Sequence, residues 1–280
     1  MSSNSEKVSE LVKGINSCAN KIDLKIVSVV LFGSLAKQDT DKASDIDVIV
    51  VVDDLSSDAQ ISKLKKYLYS IEEDIGLRIK ASGLANRLQV IFDRMGAQYK
   101  SMFVCREDEF VNSNAGKIFH TESFFDGVIL DNPLLRNDIG FKNILLSAKV
   151  VYGRDVLTGL QNVSPIRKKQ LAQNRITYSS LNLYSLLVCV FARNATKYSM
   201  SALKWTLHSC YFVLTKEPGS LSREIAYFEK HFPSNVLTEL KDLRKSYRKN
   251  LGFILRAQLY IWRLFTKTLK DASYPVRFDK

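Results

Sequence analysis

A chain of 280 residues with 46% hydrophobic content can bury one large core or two ordinary ones without staples, which sets a disordered chain aside. The net charge of +12 is unevenly divided: residues 1–159 hold 20 Lys+Arg against 22 Asp+Glu, a balance of −2, and residues 160–280 hold 21 against 7, a balance of +14. A basic half joined to a neutral one points to a polyanion, nucleic acid first, although solvated lysine-rich helix faces are the plainer reading. Cys18, Cys105, Cys189 and Cys210 form no CxxC pair, so zinc-finger and disulfide frameworks are not expected, and a reducing, cytoplasmic setting fits. The polar start MSSNSEKVSE carries no signal pattern, and the longest apolar runs fall far short of the ~20 residues of a membrane span, so no membrane partner is expected.

In chain order, Val8, Leu11, Val12 and Ile15 lie at helical spacing within residues 5–21, and the β-branched run Ile26–Phe32 then predicts a buried strand ending in Gly33-Ser34. Residues 45–52 predict a second buried strand. Asp58 opens a helix with Ile61, Leu64, Leu68 and Ile71 on one face. Residues 76–95 fit helix or strand, with 88–92 the more strand-like part, and 100–105 predict a third strand. Residues 107–119 read as loop plus helix, 124–130 as a short strand or buried turn, and 134–150 as helix after the Asn132-Pro133 break. From Pro165 the pattern changes to long helices over about 167–193, 199–216, 220–231 and 233–270, with Ser199, Ser220 and Ser234 placed as N-caps. Strands with helices in one half and helices alone in the other predict two domains, 1–158 and 159–280.

The chemistry concentrates in residues 31–52. A strand that ends in Gly33-Ser34 and feeds a helix offers backbone N–H groups and a hydroxyl to a phosphate, and glycine permits close approach. Asp45 and Asp47, two apart on a strand, face the same way ~7 Å apart, a pairing suited to hard divalent cations such as magnesium. Ile46 and Val48 alternate toward the packed face.

Gly33-Ser34, ten intervening residues, then Asp45-Ile46-Asp47-Val48 with Ser44 before the first Asp, resemble the nucleotidyltransferase superfamily of DNA polymerase β type. The resemblance is strong over about residues 25–55 and loose over 1–158. It implies an α/β (α+β) nucleotidyltransferase domain with a mixed sheet, here followed by an all-α helical bundle. It further implies transfer of a nucleoside monophosphate, AMP from ATP foremost, to an acceptor hydroxyl. Asp45 and Asp47 would hold two Mg2+ ions that clamp the nucleoside triphosphate, and Ser34 would hold its outer phosphates. Active members of the family supply a third carboxylate from a later strand. The strand aligned with it, 100–105, has Ser101 at that place, leaving Glu107, Asp108, Glu109 or Asp93 as substitutes that spacing does not choose between.

Lys37 flanks the loop and could reach the triphosphate, although such residues are usually solvated. Cys105-Arg106 reads as a buried thiol beside a solvated cation, and His120, His208 and His231 are too scattered for a metal cluster. In the basic half, Arg167, Lys168, Lys169, Arg193, Lys197 and Lys204 form one candidate nucleic-acid group. Lys241, Arg244, Lys245, Arg248, Lys249, Arg256 and Arg263 form another, interleaved with Tyr247, Tyr260 and Trp262 as stacking aromatics. The helical partner domain also resembles the HEPN arrangement, but Arg193-Asn194 is followed by no His, so ribonuclease activity is not expected. RNA, tRNA included, is the favoured acceptor, and a small cationic acceptor, as in aminoglycoside adenylyltransferases, is not expected because it would call for an acidic pocket that the basic half does not offer. The rival readings are a catalytically weak or inactive module that binds nucleotide or nucleic acid, and an antitoxin-type protein adenylyltransferase. The oligomeric state is not fixed by the sequence.

Overall fold

A computed structural model describes residues 4–37, 46–74, 83–95, 101–112, 118–119, 138–158, 160 and 165–277. Its elements are α1 (Asn4–Lys21), β1 (Ile26–Phe32), α2 (Gly33–Ala36), β2 (Asp47–Val52), α3 (Asp58–Asp74), α4 (Gly83–Met95), β3 (Met102–Arg106), α5 (Glu107–Val111), α6 (Asp138–Ser147) and β4 (Lys149–Gly153). Five helices follow: α7 (Lys168–Val188), α8 (Ala195–Thr215), α9 (Leu221–His231), α10 (Asn235–Lys245) and α11 (Leu251–Asp271). The chain forms two compact units, each assembled from three segments. One comprises Met1–Lys80, Lys100–Thr121 and Ile144–Asn162, and the other Ala81–Tyr99, Glu122–Asn143 and Val163–Lys280.

The first unit is a mixed sheet in the order β3-β2-β1-β4. β1 pairs antiparallel with β2 and with β4, and β2 pairs parallel with β3. Val48, Val50, Val52, Val29, Leu31, Met102 and Val104 line one face, and α1 and α3 cover them with Leu11, Ile15, Ile61, Leu64 and Leu68. The opposite face carries Val30, Phe32, Asp47, Ile49, Val51 and Phe103 by alternation. Near-continuous valine and isoleucine in β2 therefore reflects burial on both sides of a central strand.

The second unit packs α7, α8 and α11 around Leu207, Phe212, Phe253, Ile261 and Phe265. Several buried polar side chains are paired within it. Ser199 Oγ bonds Asn182 Oδ1, Asn182 Nδ2 donates to Ile254 O at 3.1 Å, and His208 Nδ1 lies 2.6 Å from Glu224. Ser220 and Ser234 cap α9 and α10, accepting from Arg223 N and Val236 N. Ser199 is no cap: it is buried inside α8, where the inter-helix bond to Asn182 uses its hydroxyl.

Three sequence expectations are corrected. Residues 83–95 form a helix that belongs to the second unit, because Gln89 and Asp93, one turn apart, turn inward together. The helix expected to Val150 ends at Ser147, and residues 149–153 form edge strand β4. Its Gly153, at φ +82°, presses on Val27 and Ser28 so closely that a Cβ there would strike backbone. The long helix expected over 233–270 breaks at 246–250. Tyr247 Oη donates to Arg193 O at 2.6 Å and Asn250 N donates to Thr196 Oγ1 at 2.9 Å, so tertiary bonds draw the chain out of helix, and Asn250 then caps α11. Residues 124–130 lie outside the described residues.

Candidate active site

β1 ends at Phe32, and the backbone turns through Gly33 at φ +73°, a region that side-chain-bearing residues avoid. The single turn of α2 follows, closed by Lys37 N donating to Gly33 O at 3.3 Å. Antiparallel pairing sets Asp47 directly across from Phe32, so its side chain leans over this turn. A Cβ at Gly33 would collide with Asp47 Oδ2 and lie 2.9 Å from Cγ. The acid and the Gly-Ser turn thus touch. Ser34 and Lys37 are half-buried at the turn, as is Asp47 at the strand mouth. Ser44 and Asp45 lie outside the described residues.

Beside Asp47 on the same sheet face are three rings. Phe103 lies 6.1 Å from Phe32 and 4.9 Å from Phe119, edge-on to the latter. They form one apolar cluster, of which Phe32 stands directly across from Asp47.

The pairing of β2 with β3 shows what stands at the third-carboxylate position. Val48 N donates to Ser101 O at 2.9 Å, which places Ser101 level with Asp47 at the start of β3. The Ser101 hydroxyl lies 3.3 Å from Glu72 Oε1, and the same oxygen accepts from Ser101 N at 2.9 Å and Met102 N at 3.0 Å. Glu72, fully buried at the end of α3, is a residue the sequence reading missed. Its partners lie 29 and 30 positions away, so no local pattern marks it.

The substitutes lie elsewhere. Arg106 pairs with Val52 at the far end of β2, so Glu107 and Asp108 follow β3 at the edge opposite Asp47, about 20 Å along the strand direction. There Glu107 pairs with Arg154, and Asp108 N donates to Asp54 Oδ1 at 2.9 Å. Glu109 Oε2 is engaged by Arg106 N. Asp93 belongs to the second unit, where Gln89 Nε2 and Tyr198 Oη donate to it at 2.8 Å each and Asn194 Nδ2 at 3.1 Å. Burial and the neighbouring Asp93 charge push the Tyr184 phenol up to about 12. Among the described residues no three His, Cys, Asp or Glu side chains are arranged to hold a metal ion. Asp47 fits one by its chemistry, as a half-buried carboxylate at a phosphate-ready turn.

Residues 12–96 match the family model of the nucleotidyltransferase domain. The chain carries a nucleotidyltransferase domain. The matched segment contains β1, the Gly33-Ser34 turn, Asp45, Asp47 and β2, and it marks the chain as a transferase that moves a nucleotidyl group. No curated protein sequence matches the chain. Among solved structures, the chain is similar in fold to the spectinomycin adenyltransferase AAD(9) from Enterococcus faecialis, solved with ATP and spectinomycin. The identity is 13%, the TM-score 0.56, and the likeness covers 95% of this chain and 99% of that one.

Beyond the nucleotidyltransferase domain, the basic residues do not gather as the sequence grouped them. Arg167, Lys168 and Lys169 stand at the start of α7, whereas Arg193 follows its other end, about 30 Å along the helix axis. Arg193, Lys197 and Lys249 do come together: Lys197 Nζ lies 5.1 Å over the Tyr247 ring, and Lys249 Nζ donates to Val190 O at 3.2 Å. Lys241 is paired with Glu229 at 2.6 Å, while Lys204, Arg244, Lys245 and Arg248 are exposed. Tyr260 is buried and donates to Phe232 O, so it offers no stacking surface. Cys105 is buried as expected, whereas Arg106 is half-buried and paired with Asp58 at 2.7 Å instead of solvated. Among the described residues no helix is long and apolar enough to cross a membrane.

Proposed function

We propose that the chain moves AMP from ATP onto an acceptor hydroxyl in a Mg2+-dependent reaction. The observation that carries this reading is the seating of the Asp47 carboxylate against the Gly33 turn, where an acid suited to hard cations meets amides suited to phosphate oxygens. Asp45 and Asp47 are the proposed ligands of two ions, and Gly33, Ser34, Ser44 and Lys37 the proposed contacts of the triphosphate. The chemistry that magnesium supplies when bound is neutralisation of the charge that builds as pyrophosphate leaves. The chain's own part is placement: the turn amides and the Ser34 hydroxyl hold the outer phosphates so that the α-phosphorus faces the acceptor. Ser101, beside Asp47 and occupied with Glu72, provides no base at the third-carboxylate position, so turnover is slow relative to nucleotide binding.

In this reading residues 1–158 carry the transfer chemistry and 159–280 position the acceptor. The balance of +14 in the second segment favours RNA, tRNA included, in a cytoplasmic setting. A small hydroxylated acceptor is the second reading, favoured by the likeness along nearly the whole of both chains to an adenyltransferase solved with spectinomycin. The test is incubation with each α-labelled nucleoside triphosphate, Mg2+, total RNA and spectinomycin, with Asp47→Ala as control. Label that vanishes in the control supports the site, and its carrier, RNA or small product, names the acceptor class. Label on a polypeptide would move the acceptor to protein. Salt-sensitive RNA binding with no label on any acceptor would overturn transfer in favour of a binding module.

A further inference from the structure

Two helices of the second unit leave an apolar face open. On α7 and the turn after it, the exposed residues from 176 to 191 are Ile176, Ser180, Leu183, Leu187, Val190 and Phe191, with no charge among them. Leu187, Val190 and Phe191 are 77%, 74% and 75% exposed. On α11, Leu251, Leu255, Leu259 and Trp262 repeat the pattern turn by turn, with Leu259 67% exposed. Both stripes lie opposite the buried positions of their helices, Leu171, Tyr178 and Ser185 on α7 and Phe253, Ala257 and Leu264 on α11.

The helices run side by side and antiparallel. The Arg175 guanidinium lies 4.3 Å over the Trp262 ring, Asn182 Nδ2 donates to Ile254 O at 3.1 Å, and Lys249 Nζ donates to Val190 O at 3.2 Å. The two stripes therefore join into one face along the length of the pair.

We propose that this face joins two copies of the chain, the α7–α11 pair of one packing on that of the other about a two-fold axis as a four-helix layer. Three observations select a second copy. The nine apolar side chains expose roughly 1,000 Å², above the largest patch of an ordinary monomer and close to what one partner gives a standard interface. An uncharged stripe in a chain of net charge +12 is no seat for a polyanion, whereas an apolar face meets its own image without needing complementary charge. Arg256, beside the face on α11, is paired with Glu239 through two bonds of 3.0 and 2.7 Å, which lowers the like-charge repulsion between two copies there. Ser180, small among Ile176, Leu183 and Leu187, leaves a notch for a large side chain of the opposing helix.

Sedimentation velocity on the full chain, from about 1 to 100 μM, tests the proposal. A dimer is expected, and Leu187→Glu with Phe191→Glu weakens it by at least about 100-fold with an unchanged far-ultraviolet spectrum. The milder Leu183→Ser gives a smaller loss, and Lys204→Glu on α8 leaves the dimer intact. Hydrogen exchange over 176–191 and 251–262 slows as protein concentration rises. A wild-type chain that stays monomeric across the range, or a dimer indifferent to the Glu pair and to Leu183→Ser, overturns the proposal. Protection of these segments that does not depend on concentration overturns it too, assigning the face to another part of the same chain.

Discussion

Gly33 and Asp47 form a pair in which each residue limits the other. Alanine at position 33 has to bear φ +73° and displace the carboxylate at once. Gly33→Ala is expected to cost about 1–2 kcal/mol of stability through backbone strain. The loss of nucleotidyl transfer is larger, about 100-fold, because the acid moves by the order of an ångström. Denaturant melts beside single-turnover transfer separate the two effects, and equal transfer in the variant would remove the contact from the chemistry. Glu72 gives a second prediction. Its Oε1 satisfies Ser101 N and Met102 N in a fully buried place. Glu72→Ala strands both donors and is expected to cost about 3 kcal/mol, whereas Glu72→Gln, which keeps an accepting oxygen, costs about 1 kcal/mol or less, as read from urea midpoints.

Among the elements, β1 and β2 were legible because burial on both faces demands unbroken runs of valine and isoleucine, and no helix-period pattern competes there. The Gly-Ser turn was legible for the same reason, as a polar interruption at a fixed point. α4 was ambiguous because its inward positions are polar: Gln89 and Asp93 are buried by partners more than a hundred residues away, Tyr198 among them. β4 was hidden by the apolar period of α6, which runs on into Val150 and Val151, and the close approach of Gly153 to Val27 and Ser28 depends on a strand more than a hundred residues away. The break between α10 and α11 holds neither Pro nor Gly, and its cause, Tyr247 on Arg193 O, is tertiary. Asn250→Ala is expected to cost about 1 kcal/mol by uncapping α11, visible in the denaturation midpoint. Tyr184, which donates to Phe92 O and so ties α7 to α4, sets an alkaline limit. Its folded-state phenol titrates near 12 against about 10 when unfolded, so its contribution is full below pH 10 and is lost as pH rises toward 12. In Tyr184→Phe the fall in stability between pH 9.5 and 11.5 is expected to be shallower, as followed by urea melts at fixed pH values (about half a unit apart).

At the scale of the molecule, charge and substrate are linked. If RNA is the acceptor, log K falls with log salt at about 0.7 per phosphate contact, and removing Lys197 or Arg248 lowers that slope by nearly one contact each. A small hydroxylated acceptor leaves KM nearly insensitive to the same changes, so one titration series separates the two readings. The threading of the chain has a practical corollary. Because α4 leaves the sheet-bearing body to join the helical one, and the chain then returns twice more, a cut at position 158 yields no self-sufficient piece. A fragment ending there would carry α4 with Gln89 and Asp93 stripped of Tyr198 and Asn194, and its complement would have a socket where that helix belongs. Produced together, such halves have reason to find each other, which makes this chain a natural starting point for a reporter whose activity returns only when two fragments are brought into proximity.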